Sequence, residues 1–388
     1  MRAPQIALRV HTLTWKIIMS QDCFIRHAEI ADRKAWDEYV YGRKDGVAYH
    51  DFAWKQAIED AYGFECPYFI AEKANQIRGV MPTVHIHLPF KKGSLVSLPY
   101  CDLGGVLADN PIIAEKLFDH ACQFAREFKI PQIEIRQTID LLSLSTFAYS
   151  NANIKNLRRF NAKTAYTEKV RMILDLPGSS ERLLAGFKSK LRSQIRKPFK
   201  DGLTTKIGGP ELLESFYKIF AENMRALGSP VHSKKWFYSI LKYYGNKAKC
   251  GIALMADRTP AAGGIIICHR NIVSIPWASS IPRFNRFNPN MLLYWRFLQF
   301  AADNGYGFFD FGRSTRGEGT YRFKAQWGAK PQDLYWQRWK VRGDSVKKHD
   351  KVTSGRSNKR KLIEHTIRKM PLALTTAIGS RLRKYVSL

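Results

Sequence analysis

One pattern of aromatic and apolar residues occurs twice in this chain of 388 residues, and it constrains the fold more than any other feature. Two sets of residues share the same internal spacing and lie 182 positions apart: His50, Trp54, Ile58, Tyr62 and Gly63, then His232, Trp236, Ile240, Tyr244 and Gly245. A spacing of four residues places side chains along one face of a helix, and glycine is common just beyond a helix C terminus. The pattern therefore predicts two copies of one helix.

The segments that follow the two helices also correspond to each other. Each copy continues with an apolar run ending in an acidic residue, a turn, a second apolar run, a helix and a strand with a central acidic residue. The corresponding pairs of segments are 69–72 and 254–257, 79–84 and 263–267, 123–125 and 299–301, and 133–135 and 309–311. The offset varies with insertions in loops. We predict an α+β fold of two tandem duplicated domains, each a mixed, mostly antiparallel sheet flanked by helices.

The duplication and the local composition divide the chain into four parts. We expect an N-terminal extension at 1–22, a first domain at 23–165, a second domain at 166–345 and a basic tail at 346–388. The residues Ser179-Ser180-Glu181 are typical of a helix start, so a basic connector helix is expected at 181–200. Residues 1–22 lack the apolar core and the cleavage site of a signal peptide, and Met19 is a second candidate start.

The net charge of +30 indicates an anionic partner, such as nucleic acid, a membrane surface or a phosphorylated substrate. More than half of this charge comes from two segments, 182–206 and 341–388, which carry +7 and +10. In the connector, we expect phosphate or another anion to contact Lys190, Arg192 and Arg196, with a solvated helix face as the alternative. The tail spaces apolar residues at helical intervals among basic ones, which suits an anionic membrane surface; a solvated tail is the alternative.

Several kinds of protein are excluded by what the sequence lacks. No run approaches eighteen consecutive apolar residues, so no transmembrane helix is expected. The six cysteines form no CxxC pair, which favours a reducing cytoplasm, with peripheral contact at the inner membrane through the tail. No glycine-rich nucleotide motif, zinc-protease motif or serine-hydrolase motif is present. His85 and His87 share one face of a strand, but no third ligand accompanies them in sequence, so we expect no metal site.

The densest group of polar and aromatic residues lies at 277–339. The sequence Asn-Pro-Asn at 288–290 is typical of a helix N terminus, and Arg283 and Arg286 precede it. Free backbone N–H groups beside two arginines make this helix end a candidate anion site. A strand and a polar, glycine-rich loop follow at 308–320, and proteins often mount functional residues on such loops. Ordinary core packing is the alternative for the aromatic residues of this region.

This region resembles the FemAB/FemX family of peptidyl (aminoacyl) transferases, specifically the branch associated with exosortase/PEP-CTERM polysaccharide gene clusters. The segments that carry the resemblance are 99–106, 133–136, 190–197, 290–295, 309–312 and 321–328. The resemblance implies two tandem GNAT-like (acyl-CoA N-acyltransferase) domains, in agreement with the duplication. It also implies transfer of an aminoacyl or acyl group from aminoacyl-tRNA or acyl-CoA to an amine on a cell-envelope or exopolysaccharide-related sugar, lipid or peptide. No tightly bound cofactor is expected.

The resemblance implies roles for individual residues. Lys324 matches a lysine at the family's reaction centre, where an ammonium would offset charge on a tetrahedral oxyanion or hold a phosphate. Asp310 matches a strand-end aspartate that would orient the acceptor amine or take its proton; a structural bridge to Arg313 or Lys324 is the alternative. The pyrophosphate loop of acyl-CoA transferases is replaced by residues 283–290, which weakens the case for acyl-CoA. We expect seven residues to bind substrate: Arg283, Arg286, Asn290, Arg313, Ser314, Tyr321 and Trp277.

Two other functions fit the same sequence. One is a non-catalytic tRNA- or RNA-binding protein on a transferase fold, although no RNA-binding motif is present. The other is a membrane-surface scaffold built on the tail. The transferase is favoured over general RNA binding because the basic residues cluster in the connector and the tail.

Overall fold

The computed structural model describes residues 23–88, 91–138, 163–341 and 358–387. The predicted extension at 1–22 and the first part of the tail lie outside the described residues. The described strands are β1 (Phe24–His27), β2 (Phe69–Lys73), β3 (Gln76–Met81), β4 (Val84–Leu88), β5 (Lys91–Val96), β6 (Leu107–Ala108), β7 (Gln132–Gln137), β8 (Lys163–Asp175), β9 (Thr204–Gly208), β10 (Ala248–Leu254), β11 (Pro260–His269), β12 (Ile272–Ser280), β13 (Phe308–Thr315) and β14 (Lys330–Lys340). The described α-helices are α1 (Arg33–Gly42), α2 (Phe52–Tyr62), α3 (Pro111–Glu127), α4 (Ser180–Gly186), α5 (Ser189–Lys200), α6 (Leu213–Leu227), α7 (Lys234–Tyr244), α8 (Pro289–Asp303), α9 (Gly319–Ala325), α10 (Asn358–Lys369) and α11 (Leu372–Leu382).

The described strands form two sheets. Strands β1, β2, β3 and β6 of the first half form a four-stranded sheet. The other ten form one sheet in the order β4-β5-β7-β14-β8-β13-β12-β11-β10-β9. This sheet joins the two halves of the chain, because β14 pairs antiparallel with both β7 and β8. The predicted α+β class is confirmed, and the expected domain boundary at 165–166 falls inside β8.

Among the described strands, each half has one parallel pair in an otherwise antiparallel arrangement. In the first half, β5 pairs with β7 at Leu95–Ile133 and Val96–Glu134. In the second half, β12 pairs with β13 only from Ile272–Phe308 to Ser274–Asp310, although both strands continue further. The two strands therefore separate toward their C-terminal ends. The separation opens a wedge in the sheet, and Asp310 lies where the wedge begins.

The two copies of the repeated helix, α2 and α7, pack against each other. Trp54 and Trp236 are fully buried and meet edge to face, with ring centroids 5.2 Å apart. The Tyr62 hydroxyl lies 2.6 Å from His232 Nδ1. On the other side of the pair, the Tyr244 hydroxyl donates to a backbone carbonyl of the first half, also at 2.6 Å. Trp54, Tyr62, Trp236 and Tyr244 of the repeat thus lie at the interface between the two halves. His50 and His232 precede the helices instead of lying on them, because α2 begins at Phe52 and α7 at Lys234.

The connector differs from the predicted single helix at 181–200. It consists of two helices, α4 and α5, because Phe187 and Lys188 have extended backbone angles between them. The Ser179 hydroxyl caps the start of α4, as the sequence predicts. Arg192 donates to the carbonyls of Ala185 and Phe187 and so closes the C-terminal end of α4. This arginine is therefore partly used in holding the two short helices at an angle.

The described part of the tail folds back onto the second half. Helices α10 and α11 pack against α6, and a short 3-10 turn at Arg383–Tyr385 follows them. Gly379 permits this approach, because a Cβ there would lie 2.8 Å from the backbone nitrogen of Val231. The outer side of the tail carries exposed large apolar residues: Leu362, Ile363, Leu374, Ile378, Leu382 and Val386. Within the described ranges, no helix has the length and apolar composition that crossing a bilayer requires.

Candidate functional site

Lys324 and Asp310 both form hydrogen bonds with the backbone at Gly312. Asp310, on β13, accepts a hydrogen bond from the Gly312 amide at Oδ1 over 2.8 Å. Lys324, on α9, donates from Nζ to the carbonyls of Gly312 and Arg313 at 3.1 and 2.8 Å. Gly312 has a φ of 71°, in the left-handed region that favours glycine. The structure therefore brings the two predicted residues together around the Gly312 peptide.

The ionic partner of Asp310 is Arg171 on β8. Its Nε donates to Asp310 Oδ2 at 2.7 Å, and both side chains are buried. Ser274 lies 3.4 Å from the same carboxylate oxygen. The alternative predicted for Asp310, an ion pair with Arg313 or Lys324, is therefore wrong, because its ion-pair partner is Arg171. Sequence reasoning missed Arg171 because it lies in an alternating strand far along the chain, and no motif marks it.

The first half of the chain holds Arg313 in place. Asp102 Oδ2 accepts from the Arg313 backbone amide at 2.9 Å, and Oδ1 lies 3.4 Å from Arg313 Nε. The guanidinium lies over the Trp336 ring, 4.9 Å from its centroid, and Arg136 lies 4.5 Å from the same ring. Trp336 in turn donates from Nε1 to the Asp102 carbonyl. Asp102 belongs to the segment 99–106 noted above, but its contact with Arg313 follows only from the packing of the two halves.

Burial sets the electrostatics of Lys324. Desolvation lowers the pKa of its ammonium to about 8, against the opposing attraction of Asp102 and Asp310. Arg313 lowers this pKa further through like-charge repulsion. Near neutral pH the ammonium predominates, but it lies close enough to its titration point to lose its proton in mildly alkaline solution.

Other predicted site residues near the loop differ in accessibility. Ser314 is buried, and its hydroxyl has no hydrogen-bond partner among the described residues. Tyr321 and Asn290 are half-buried. Trp277 is buried and stacks on Trp54 at a centroid distance of 6.0 Å, which places it in the interface between the two halves. Trp277 is therefore a core residue at this interface, and its predicted role in binding substrate stays a prediction.

The predicted anion site at the start of α8 is exposed. Arg283 forms an ion pair with Glu222, and the guanidinium of Arg286 lies over its neighbouring phenylalanine ring. Helix α8 begins at Pro289 as predicted, but Asn288 has a left-handed backbone and its side chain accepts no capping hydrogen bond. The expected side-chain N-cap is therefore wrong. The first backbone amides of α8 therefore donate no hydrogen bond to the Asn288 side chain.

The predicted connector cations divide into two kinds. Lys190 and Arg196 are exposed on α5, whereas Arg192 is half-buried and bonded to the end of α4. Of these three predicted residues, Lys190 and Arg196 therefore present their charge to solvent. Leu191 and Ile195 occupy the buried side of the same helix.

A cavity of about 880 Å³ lies between the two halves. Two acidic residues, Asp45 and Asp109, line it together with the buried His50. Burial lowers the pKa of His50 to about 4, so its imidazole is neutral and donates from Nε2 to the Gly105 carbonyl. One further polar atom, Arg171 Nη2, is buried with no hydrogen-bond partner among the described residues. Cations outnumber acids in the lining of this basic cavity, and the cationic residues are Arg43, Lys44, Arg136, Arg171 and Arg270. Three of them already pair with carboxylates: Arg43 with Asp45 and Asp109, Arg136 with Glu134, and Arg171 with Asp310.

Comparison with known proteins agrees with this architecture. Residues 185–325 match the sequence profile of the Acetyltransferase (GNAT) domain, which ends one residue beyond Lys324. A search of curated proteins gave no match.

Solved structures resemble the chain over most of its length. FemX superposes with a TM-score of 0.64 at 14% identity, covering 81% of this chain and 96% of that chain. A tandem GNAT protein from the clavulanic acid biosynthesis pathway gives 0.53 at 9% identity, covering 84% and 100%. The C-terminal domain of a candidate lysylphosphatidylglycerol synthetase from Agrobacterium fabrum gives 0.51 at 12%, covering 81% and 92%. The chain therefore has a tandem GNAT-like fold, and the segment that matches the GNAT domain lies in its second half.

Proposed function

We propose that the protein is a FemAB-like N-acyltransferase that forms an amide between an activated donor and an acceptor amine. The single observation that supports this most is the convergence of Lys324, Asp310 and the Gly312 peptide at the wedge of a GNAT domain. The donor is aminoacyl-tRNA or acyl-CoA. The acceptor is an amine on a cell-envelope or exopolysaccharide-related sugar, lipid or peptide, as expected for the PEP-CTERM-associated branch.

The reaction needs no covalent intermediate with the protein. The acceptor amine attacks the donor carbonyl and forms a tetrahedral oxyanion, which collapses by breaking the donor C–O or C–S bond. The amine proton then goes to the departing alkoxide or thiolate, which leaves as a hydroxyl or a thiol. In this proposal the ammonium of Lys324 offsets the oxyanion charge, and because it is buried its field is weakly screened.

Asp310 acts as a positioning residue in this mechanism. One carboxylate oxygen accepts from the Gly312 amide and the other from Arg171, so both hold parts of the protein. These contacts hold the backbone at Gly312, whose carbonyl accepts from Lys324. The carboxylate therefore sets the place of the ammonium, and proton transfer does not require it.

The basic cavity is the proposed site of an anionic acceptor. Its volume suits a small-molecule headgroup, and the unpartnered Arg171 Nη2 would gain an anionic oxygen as partner. Arg171 also bonds Asp310, so acceptor binding and the geometry of the reaction centre share one side chain.

Donor phosphates would then meet the exposed cations of the second half. Arg283 and Arg286 lie before the start of α8, and Lys190 and Arg196 lie on α5. All four cations lie within residues 185–325, the segment that matches the GNAT domain.

The tail is the proposed site of peripheral contact with an anionic membrane. Exposed apolar residues such as Ile378 and Leu382 lie among cations, including the exposed Arg368, Lys369 and Arg381. No acidic residue follows Glu364 in the sequence. An apolar stripe with only cationic neighbours is the pattern of an interfacial amphipathic helix.

Mass spectrometry of cell-envelope polysaccharide and lipid-linked precursors tests the proposal. Cells with the protein should carry an aminoacyl or acyl substituent that is lost when the protein is removed and restored by the wild-type chain but not by Lys324→Met. An unchanged substituent profile would contradict the proposal. A salt-dependent, sequence-indifferent RNA affinity with no product from either donor would instead favour the RNA-binding alternative.

A further inference from the structure

Three side chains with metal-ligating atoms converge at the edge of the large sheet. His85 and His87 project from one face of β4, and Glu65 reaches them from the segment after α2. Glu65 Oε2 lies 3.6 Å from His85 Nδ1 and 3.6 Å from His87 Nε2. All three ligand atoms lie within 4.8 Å of one another. The sequence contains the histidine pair but gives no indication of the glutamate, because an isolated bridge between Glu65 and His85 brings it there.

These spacings suit a shared ion better than a direct contact. A separation of 3.6 Å is too long for a hydrogen bond between nitrogen and oxygen. Ligands about 2.0–2.2 Å from a tetrahedral zinc ion stand roughly 3.3–3.6 Å from each other. The two glutamate–histidine separations lie at the upper end of this range, and the two histidine nitrogens, within 4.8 Å of each other, reach it with at most a modest side-chain movement.

The burial of His85 also favours a bound ion. Its ring is nine-tenths buried, and Nδ1 has no hydrogen-bond partner among the described residues. A buried nitrogen without a partner carries a free-energy cost unless a further group satisfies it. The neighbouring His87 ring, with a centroid distance of 3.7 Å, has a nitrogen facing the same glutamate oxygen.

We infer that Glu65, His85 and His87 form a binding site for a divalent zinc-type cation, with water in the remaining coordination position. Two imidazole nitrogens and one carboxylate oxygen are a ligand set that zinc accepts with an open fourth position. The ion would link β4, at the edge of the ten-stranded sheet, to the segment after α2. This makes it a structural clamp on the first half. The inference does not depend on the proposed acyl transfer.

Cobalt and zinc titrations of the full-length, chelator-treated chain test the site. We expect one equivalent of Co²⁺ to bind with the intense absorption bands of tetrahedral coordination, and Zn²⁺ to displace it. Zn²⁺ should also raise the thermal unfolding midpoint. His87→Ala and Glu65→Gln should each weaken Co²⁺ binding by about tenfold or more, since even outer-shell changes cost that much.

Matched controls separate the site from general metal binding. Glu38→Gln alters a carboxylate as exposed as Glu65, at 68% for both side chains, and His365→Ala removes an exposed histidine elsewhere. Both controls should bind Co²⁺ like the wild type. Glu65 and His87 are both more than half exposed, so their variants should fold, which circular dichroism would verify.

Three results would overturn the inference. They are absence of Co²⁺ binding, bound Co²⁺ with only the weak bands of an octahedral, adventitious ion, and unchanged affinity in Glu65→Gln and His87→Ala. Every readout is binding, spectroscopy or unfolding. A failed acyl-transfer assay therefore leaves the metal test intact, and a failed metal test leaves the proposed transfer intact.

Discussion

Arg171 Nε donates to Asp310 Oδ2 at 2.7 Å, and the two residues are 139 positions apart in sequence. This buried ion pair ties β8 to β13 beside the wedge of the second domain. Asp310 also accepts from the Gly312 amide, and Arg171 also lines the basic cavity. The pair therefore connects the proposed acceptor site with the segment that holds Lys324.

Breaking this pair should destabilise the fold more than removing it entirely. Asp310→Asn and Arg171→Met should each lower the free energy of unfolding by about 3–5 kcal/mol, because each leaves an uncompensated buried group. The double variant should lose clearly less than the sum of the two. Urea denaturation of all four proteins gives the coupling energy. Strictly additive losses would show that the pair contributes no coupling.

Lys324→Met should abolish turnover while the protein stays folded. The substitution keeps the apolar stem but removes the ammonium, so we expect kcat to fall about 10²–10³-fold, as for loss of an oxyanion-stabilising group. Lys330→Met is the matched control, because this exposed lysine lies six residues away and pairs with Asp175 on the surface. Activity of Lys324→Met near that of the control would contradict the assignment.

The rate should fall in alkaline solution with an apparent pKa near 8. Burial lowers the pKa of Lys324, so the ammonium predominates below about pH 8 and the neutral amine above it. If the charge stabilises the oxyanion, kcat/KM should fall about tenfold per pH unit above that point. Lys324→Arg keeps a charge at all these pH values and should remove the fall. A rate that rises through pH 8 would instead identify the neutral amine as the active form.

The lowered pKa of Lys324 predicts that its contribution to stability becomes more favourable as the pH rises. Between about pH 8 and 10.5 the unfolded chain binds more protons at Lys324 than the folded chain does. The contribution of this lysine to the free energy of unfolding is therefore unfavourable below pH 8 and is relieved as the pH rises toward 10.5. The difference between wild type and Lys324→Met, followed by urea denaturation over this range, should shrink with pH.

Removing the last six residues should weaken the loop that carries Asp102. Tyr100 has a left-handed backbone, with a φ of 67°, and donates from its amide to the Ser387 carbonyl at 2.7 Å and from its hydroxyl to the Lys384 carbonyl. Such strain costs of order 1–3 kcal/mol and persists only while surrounding contacts hold it.

A chain ending at Leu382 should therefore lose about 1–3 kcal/mol of stability, measured by urea denaturation. Amide hydrogen exchange at residues 98–102 should become faster. Val386→Ala is the control, because it shortens an exposed side chain and keeps the backbone carbonyls. Unchanged exchange at Tyr100 in the shortened chain would show that the tail does not hold the loop.

Local sequence patterns predicted the parts of the molecule that depend on local chemistry. The repeated spacing of four identified α2 and α7 and one face of each helix, and Gly63 ends α2 with a φ of 67°. The Ser179 cap was predicted because a hydroxyl before a helix acts on amides only two or three residues away. The predicted single connector helix was wrong because the break at Phe187 and Lys188 is supported by contacts beyond the helix itself.

By itself, the sequence determined the duplication, the fold class and the position of Lys324 beside a glycine-rich loop. Only the tertiary structure decided that Asp310 pairs with Arg171, that Asp102 holds Arg313, and that Glu65 joins His85 and His87. The physical reason is the distance along the sequence over which each kind of interaction acts. Periodicity and capping report interactions within a few residues, whereas the partner of a buried charge is chosen by strand register and by the packing of one half on the other.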